Sequence, residues 1–335
     1  VSKLPDALFY HSIKYRNFLK QILGEARDKY LLAYDNDELI AALPSFVKKG
    51  PFGAVVNSLP FYGSNGAIIS NAICSDATKI ELLNYFDSMC KREEAIASTI
   101  IQNPMARDKS IYNNYDQDVI DERIGQLTPL PSGLPTEKVC DHLMNSFHVK
   151  TRNMVRKGKK YGFEIEVHNN IKNLTELHRL HETNMQAIGG LAKPWNVFQA
   201  IHDNFEYDQD YRIYTARHNE TVAAALLVFF FNKKAEYFIP TINVEYRPQQ
   251  PLSYLIFLAM QDAVAKGCQW WNWGGTWFSQ DGVYRFKSRW GTKDFNYKYY
   301  IKFHANPTRL KQASKVDVLS SYPFFYVLPF SELSG

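Results

Sequence analysis

The apolar positions of this chain follow two periods, and the switches between them mark out helices and strands. Residues 8–24 repeat at helical spacing, with Phe18, Leu19 and Ile22 on the inner side. Strand patterns follow at 30–34 and 39–48 around the turn Asp35-Asn36-Asp37, and again at 55–60 before the loop Phe61-Tyr62-Gly63-Ser64-Asn65-Gly66. Residues 76–92 form an amphipathic helix. Ser75 or Asp76 caps it, and Ile80, Leu83, Phe86 and Met89 make its stripe. A strand at 95–102 closes on Asn103-Pro104, the polar stretch 109–117 reads as loop, and 119–127 reads as a strand. The segment TPLPSGLP at 128–135 is rich in proline and glycine and is the expected connector between two halves.

The second half opens with a helical pattern over 136–161, with Glu137 well placed in the first turn, and Gly162 ends it. Then come a strand at 163–167, helices at 174–185 and 195–205, and three strands at 212–217, 222–231 and 234–239 joined by short turns. The helix at 251–266 stops at Gly267, a residue that takes the left-handed conformation without steric cost. Residues 268–273 read as a short buried strand broken by Gly274-Gly275. A short helix at 282–290 and a last strand at 295–303 follow, and 306–335 reads as a tail. Both halves run helix, strands, helix, strand. The expected fold class is therefore α/β (α+β), with helices covering mostly antiparallel mixed sheets. The expected domains are 1–135 and 136–305, and two such halves facing one another leave a cleft.

Composition narrows the class. At 335 residues the chain exceeds the usual single-domain size, and 45% hydrophobic with 15% aromatic content supports two cores. The longest apolar run, at 222–231, is too short to span a bilayer, so no transmembrane segment is expected. No signal peptide is visible. Cys74, Cys90, Cys140 and Cys268 are scattered without a CxxC pair, as buried thiols of a reducing compartment are, and a cytoplasmic location is expected. The net charge of +5 permits an anionic partner without requiring one.

The chemistry concentrates at 272–291, NWGGTWFSQDGVYRFKSRWG, with Trp270, Trp271, Trp273, Trp277 and Trp290 in or beside it. Strand, glycine pair, loop and short helix deliver Phe286 and Lys287, with Tyr284 at a neighbouring position. A cation brought in this way suits the stabilisation of negative charge. The alternative is an ordinary surface lysine after an interior strand. A second feature is the run Lys150, Arg152, Arg156, Lys157, Lys159 and Lys160, which contains no acid. It reads as an anion-binding face or as a solvated one. His178 and His181 stand at metal-ligand spacing, but no nearby cysteine or carboxylate completes a site, and no metal is expected.

The stretch NWGG at 272–275 followed by GVYRFKSRWG at 282–291 resembles the closing motif of FemAB-type aminoacyltransferases and related Fem-like N-acyltransferases. Three segments agree in order. RNMVRKGKKYG at 152–162 resembles their basic helix, Lys193-Pro194 stands where they carry a basic residue before proline, and Ser58-Leu59-Pro60-Phe61 with Tyr62-Gly63-Ser64 resembles a first-domain loop. The resemblance covers about 8–305. It implies two acetyltransferase-like (GNAT) domains and transfer of an aminoacyl or acyl group to an amine of a cell-envelope precursor, of peptidoglycan or surface polysaccharide. It implies that Phe286 and Lys287 handle the donor or the transition state. It also implies that Lys193 contacts acceptor phosphates. From the basic run and the strand–glycine–helix stretch themselves, Arg152 and Arg156 are expected to join Lys193 in an anion-binding surface, and Gly274, Gly275 and Tyr284 are the further substrate-binding candidates. Charged tRNA is the implied donor, the acceptor is an anionic or lipid-linked precursor, and peripheral membrane association is compatible with it. Two departures stand out. The family's acid before proline is Asn103 here, so the general-base role given to that acid does not carry over, and the long coiled-coil arm of some members is missing.

No bound cofactor is expected. Acetyl-CoA-using relatives bind pyrophosphate on the N–H groups of a glycine-rich turn at the start of their long helix. The equivalent place here is YRPQQPL at 246–252, where Pro248 and Pro251 have no N–H to donate. Acyl-CoA is thus the less favoured donor. Two other classes stay open: a CoA-dependent N-acetyltransferase acting on a nucleotide sugar or glycan, and a non-enzymatic module that binds an anionic ligand on the same fold.

Overall fold

The computed structural model describes residues 4, 6–61, 64–106, 109–167 and 171–335. Tyr62 and Gly63 of the expected first-domain loop lie outside the described residues. The chain divides into two compact units, Val1–Ile124 with Phe295–Gly335, and Gly125–Asp294.

Unit 1 begins with α1 (Ile13–Ile22), shorter than the pattern at 8–24 because a 3-10 turn at Phe9–His11 precedes it. Strands β1 (Arg27–Asp28), β2 (Leu31–Asp35), β3 (Glu38–Leu43), β4 (Phe46–Gly50), β5 (Gly53–Asn57) and β6 (Ile69–Ser70) follow. The single strand expected at 39–48 is two. Pro44 has no N–H for a ladder, and β3 pairs with β2 and β6 in a small sheet while β4 pairs with β1 and β5. Helix α2 (Asp76–Arg92) is capped by Ser75, whose hydroxyl accepts from the Thr78 amide at 3.1 Å. It buries Leu82, Leu83, Phe86 and Met89 and leaves Ile80 at the surface. It carries the chain to β7 (Ala95–Ile101), which lies parallel to β5. The strand β8 (Val119–Pro129) then leads into unit 2.

Unit 2 contains α3 (Thr136–Ser146), α4 (Val149–Tyr161), β9 (Glu164–Val167), α5 (Ile171–Ala187), α6 (Trp195–Asn204), β10 (Tyr211–His218), β11 (Thr221–Phe231), β12 (Lys234–Ile242), α7 (Pro251–Ala265), β13 (Trp270–Thr276) and α8 (Asp281–Ser288). The long helix expected at 136–161 is broken at Phe147, whose backbone is extended. There the Phe147 ring packs on Trp290 and Phe257, at centroid distances of 5.0 and 6.4 Å. Strands β9 to β12 are antiparallel neighbours. Helix α7 crosses over to β13, which lies parallel to β12. Each unit thus repeats one succession, antiparallel strands, a long crossover helix and a parallel strand, in mixed layers. The core of unit 2 joins Leu255, Ile256, Ala259 and Met260 of α7 to the fully buried Trp271 and Trp290.

The chain returns to unit 1 through β14 (Lys293–Phe303), antiparallel to β7, and ends with α9 (Thr308–Lys311) and α10 (Lys315–Ser321). The segment expected as a tail belongs to the body of unit 1. The Tyr322 hydroxyl donates to the Gly53 carbonyl at 2.7 Å, and the Asn57 side chain bonds both the amide and the carbonyl of Tyr326 at 2.7 Å. The first boundary falls at 124/125, ahead of the proline-rich segment, because Thr128 and Leu130 bond to residues of unit 2.

Candidate active site

The site grows from the parallel pair in unit 2. Strands β12 and β13 are in register over Lys234–Trp270, Ala235–Trp271 and Glu236–Asn272. Beyond that rung β12 runs on to Ile242 and β13 to Thr276, so the two part company. A bulge on β12 at Phe238, where the register to β11 shifts, turns the strand. At the last rung the buried Asn272 amide donates to the Glu236 carboxylate at 2.8 Å and accepts from the Gly274 amide at 3.0 Å. Gly274 has φ +71°, a conformation that needs glycine. The glycine pair does not break the strand as expected; β13 continues through it to Thr276.

Helix α8 sets two neighbouring side chains in different directions. Phe286 meets Trp273 and Trp290 edge-on, at 6.0 and 6.3 Å between centroids. Lys287 turns to the end of β13, where its ammonium donates to the Gly275 carbonyl at 3.0 Å and to the Thr276 hydroxyl at 2.8 Å. The Thr276 hydroxyl in turn donates to the buried Gln126 side chain at 3.1 Å. Lys287 is only 7% exposed, so it is not a snorkelling surface lysine. Burial pushes its pKa down to about 8, against the pull of the Glu236 carboxylate, which favours the charged form. An ammonium has three donors, and two are engaged here. The third has no hydrogen-bond partner among the described residues.

The other expected residues are placed as follows. Tyr284 turns its hydroxyl to Asp294 at 2.8 Å on the exposed side. Arg152 donates to the Phe147 carbonyl at 2.8 Å and so pins the α3–α4 junction. Arg156 is exposed, with Asn153 at 3.4 Å. With Lys150, Lys157, Lys159 and Lys160 it makes an exposed basic face, and none of these forms an ion pair among the described residues. Lys193 stands 6.0 Å from the centre of the Phe238 ring, and burial lowers its pKa to about 8. Its amide donates to His181 at 3.0 Å. His181 is pushed down to about 4, by burial first and then by Lys193 and His178. A neutral acceptor histidine in this bond is a structural strut, and no metal-holding cluster occurs among the described residues. His168, a surface residue by its place in the sequence, lies outside the described residues.

The start of α7 differs from a phosphate-binding turn. A 3-10 segment, Val244–Gln249, contains Pro248 and leads through Gln250, at φ 63°, to Pro251 at the first helical position. Gly158 of α4 lies against it so closely that a Cβ there would meet the Gln250 carbonyl oxygen at 2.7 Å. Sequence reasoning missed Glu236, Asn272, Thr276 and Gln126. The available signal was a polar side chain inside an otherwise apolar strand.

Residues 145–288 match the family model described as an acetyltransferase (GNAT) domain. Among solved structures the chain is similar to FemX, with 16% identity, 89% of this chain and 93% of that one covered, and a TM-score of 0.66. It is also similar to the C-terminal domain of a putative lysylphosphatidylglycerol synthetase from Agrobacterium fabrum, with 11% identity, 94% of each chain covered and a TM-score of 0.58. A tandem GNAT protein from the clavulanic acid biosynthesis pathway matches at 9% identity over 88% of each chain, with a TM-score of 0.54. No curated protein matches the sequence. At these identities the likeness is one of fold. The chain therefore has the fold of FemX and of a tandem GNAT protein, with residues 145–288 matching the GNAT domain model.

Proposed function

We propose that the chain is an N-acyltransferase that moves an aminoacyl group from charged tRNA to an amine of a cell-envelope precursor. The observation that carries the proposal is Lys287, a buried ammonium with one open donor at the point where β12 and β13 separate. In the reaction the acceptor amine attacks the ester carbonyl carbon. The carbonyl oxygen gains negative charge, and Lys287 donates to it. The C–O bond then breaks, the ribose oxygen leaves as a hydroxyl, and the proton lost by the amine balances it. Electrostatic donors suffice for such a step, and no covalent enzyme intermediate is needed. Phe286 fixes α8 against Trp273 and Trp290, and this sets the position of Lys287.

The donor assignment rests on the α7 turn and the α4 face. Two prolines and the close approach of Gly158 leave the helix start poorly suited to a pyrophosphate. The exposed basic face of α4 suits an extended polyanion, whose binding weakens as salt rises. FemX and the lysylphosphatidylglycerol synthetase domain share the fold, which supports an acceptor in the envelope, peptidoglycan or lipid. No helix among the described residues is long and apolar enough to cross a membrane. In this reading contact with a lipid-linked acceptor is peripheral and on the cytoplasmic side. The test offers the protein charged tRNA or acyl-CoA with amine-bearing precursors and reads the products by mass spectrometry. The proposal expects an acceptor heavier by one aminoacyl residue with charged tRNA. Product from acyl-CoA alone overturns the donor assignment.

A further inference from the structure

We propose that Thr276 and Gln126 are positioning residues for Lys287: their buried hydrogen bonds hold the lysine in its charged form and fix the direction of its third N–H. The inference rests on the acyl-transfer reading for its use in the reaction, but not for its geometry.

The bonds form a ring that begins and ends on α8. The Gln126 Nε2 donates to the Tyr284 carbonyl and to the Thr292 hydroxyl, each at 3.4 Å. A carbonyl can only accept, so the Gln126 amide turns its nitrogen to α8 and its oxygen to Thr276. The Thr276 hydroxyl donates to that oxygen at 3.1 Å. Its single proton is then committed, and it meets the Lys287 ammonium, at 2.8 Å, as an acceptor. A neutral lysine carries a lone pair that a hydroxyl proton would stabilise, and Gln126 keeps the Thr276 proton away from it. The ring therefore favours the ammonium. With the Gly275 carbonyl as second acceptor at 3.0 Å, two of the three N–H directions are fixed. The tetrahedral nitrogen then has no rotation left, whereas an ordinary lysine head turns freely.

Packing does not explain the pair. Gln126 and Thr276 are both fully buried, and buried polar groups cost stability unless they are bonded. Apolar side chains of the same shape would fill the same space without that cost. What the pair adds is an acceptor for a buried cation. Few charges share this task. Strand β13 and residues 125–129 of β8 carry no titratable side chain. On β12, Glu236 is the carboxylate that acts on Lys287, and Tyr237 packs its ring on Trp271 and Trp273. On α8, Asp281 and Arg285 are exposed and Tyr284 turns to Asp294; Arg289 follows, half-buried. Burial already lowers the pKa of Lys287 to about 8, and loss of the Thr276 acceptor would lower it further.

NMR titration of the chain labelled with carbon-13 at the lysine Cε reads the proton affinity of Lys287 without substrate, and Lys287→Met identifies its resonance. Thr276→Val keeps the shape and loses the acceptor. It is expected to lower that affinity about ten- to a hundredfold, the net worth of a bond to a charged group. Gln126→Leu frees the Thr276 proton and is expected to shift the affinity in the same direction, while Thr276→Ser retains the natural value. In single-turnover transfer from charged tRNA, the alkaline limb of the rate is expected to move to lower pH in the first two variants, with donor affinity unchanged. If circular dichroism shows Thr276→Val unfolded, Gln126→Leu carries the test. A pair that only packs the strands lowers stability and leaves the proton affinity of Lys287 at its natural value. That result, or an alkaline limb that does not move, overturns the proposal. A shifted affinity in a chain that transfers nothing from charged tRNA overturns the acyl-transfer reading instead, so the two failures are told apart.

Discussion

Replacing Lys287 by methionine separates the cost of its burial from its use. Its pKa falls from the ordinary 10.5 to about 8 on folding, chiefly by burial. At about 1.4 kcal/mol for each tenfold change in proton affinity, the charged lysine costs the folded chain about 3 kcal/mol. The sign follows from proton counts. Between about pH 8 and 10.5 the unfolded chain holds the proton that the folded chain has released, so folding stability rises with pH across that window. Below it the full cost is present. Lys287→Met has no charge to bury. The difference in unfolding free energy between the natural chain and the variant should therefore move by about 3 kcal/mol in favour of the natural chain from about pH 7 to above pH 10. Contributions that do not titrate, such as the packing of the side-chain stem, drop out of this change. Urea unfolding followed by tryptophan fluorescence reads it, because Trp271, Trp273 and Trp290 are buried in the same core. A difference that stays constant from pH 7 to 10.5 refutes the reasoning.

Glu236→Gln removes the carboxylate that favours charged Lys287, so the alkaline limb of turnover, set near pH 8 by that lysine, should shift to lower pH; a pH–rate profile checks it. Arg156→Glu should weaken binding of a polyanionic donor and flatten its salt dependence, as titrations at two ionic strengths will show. Asn57→Ala leaves the Tyr326 amide without its acceptor and the Tyr326 carbonyl with the Thr99 hydroxyl alone, at 3.2 Å, and should cost about 1–3 kcal/mol. Limited proteolysis is then expected to cut first within the C-terminal segment.

Much of the scaffold was legible because local chemistry and packing agree. The Ser75 cap predicts the start of α2, and the run at 222–231 predicts β11, buried along nearly its whole length. The spacing after the glycine pair led to Phe286 packed inward and Lys287 beside it. Three features were not legible, each for a physical reason. Pro44 and Phe147 interrupt patterns that look continuous, since a proline without its N–H and a ring drawn to Trp290 act through partners far along the chain. Residues 306–335 lack a helical or strand period, yet Leu310, Val318, Tyr322 and Leu328 are buried by docking on unit 1. Glu236 and Asn272 look like interruptions of apolar strands, and only the parallel register brings their side chains to 2.8 Å.

The most direct test of the central claim is the single-turnover rate of amide formation by Lys287→Met with saturating donor and acceptor. Loss of one donor to a developing oxyanion costs about a hundred- to a thousandfold in rate. The account predicts a fall of that size, with donor affinity unchanged and the variant folded. A methionine variant that forms the amide at the natural rate contradicts it, and Lys287 would then be a buried structural lysine rather than the group that stabilises the transition state.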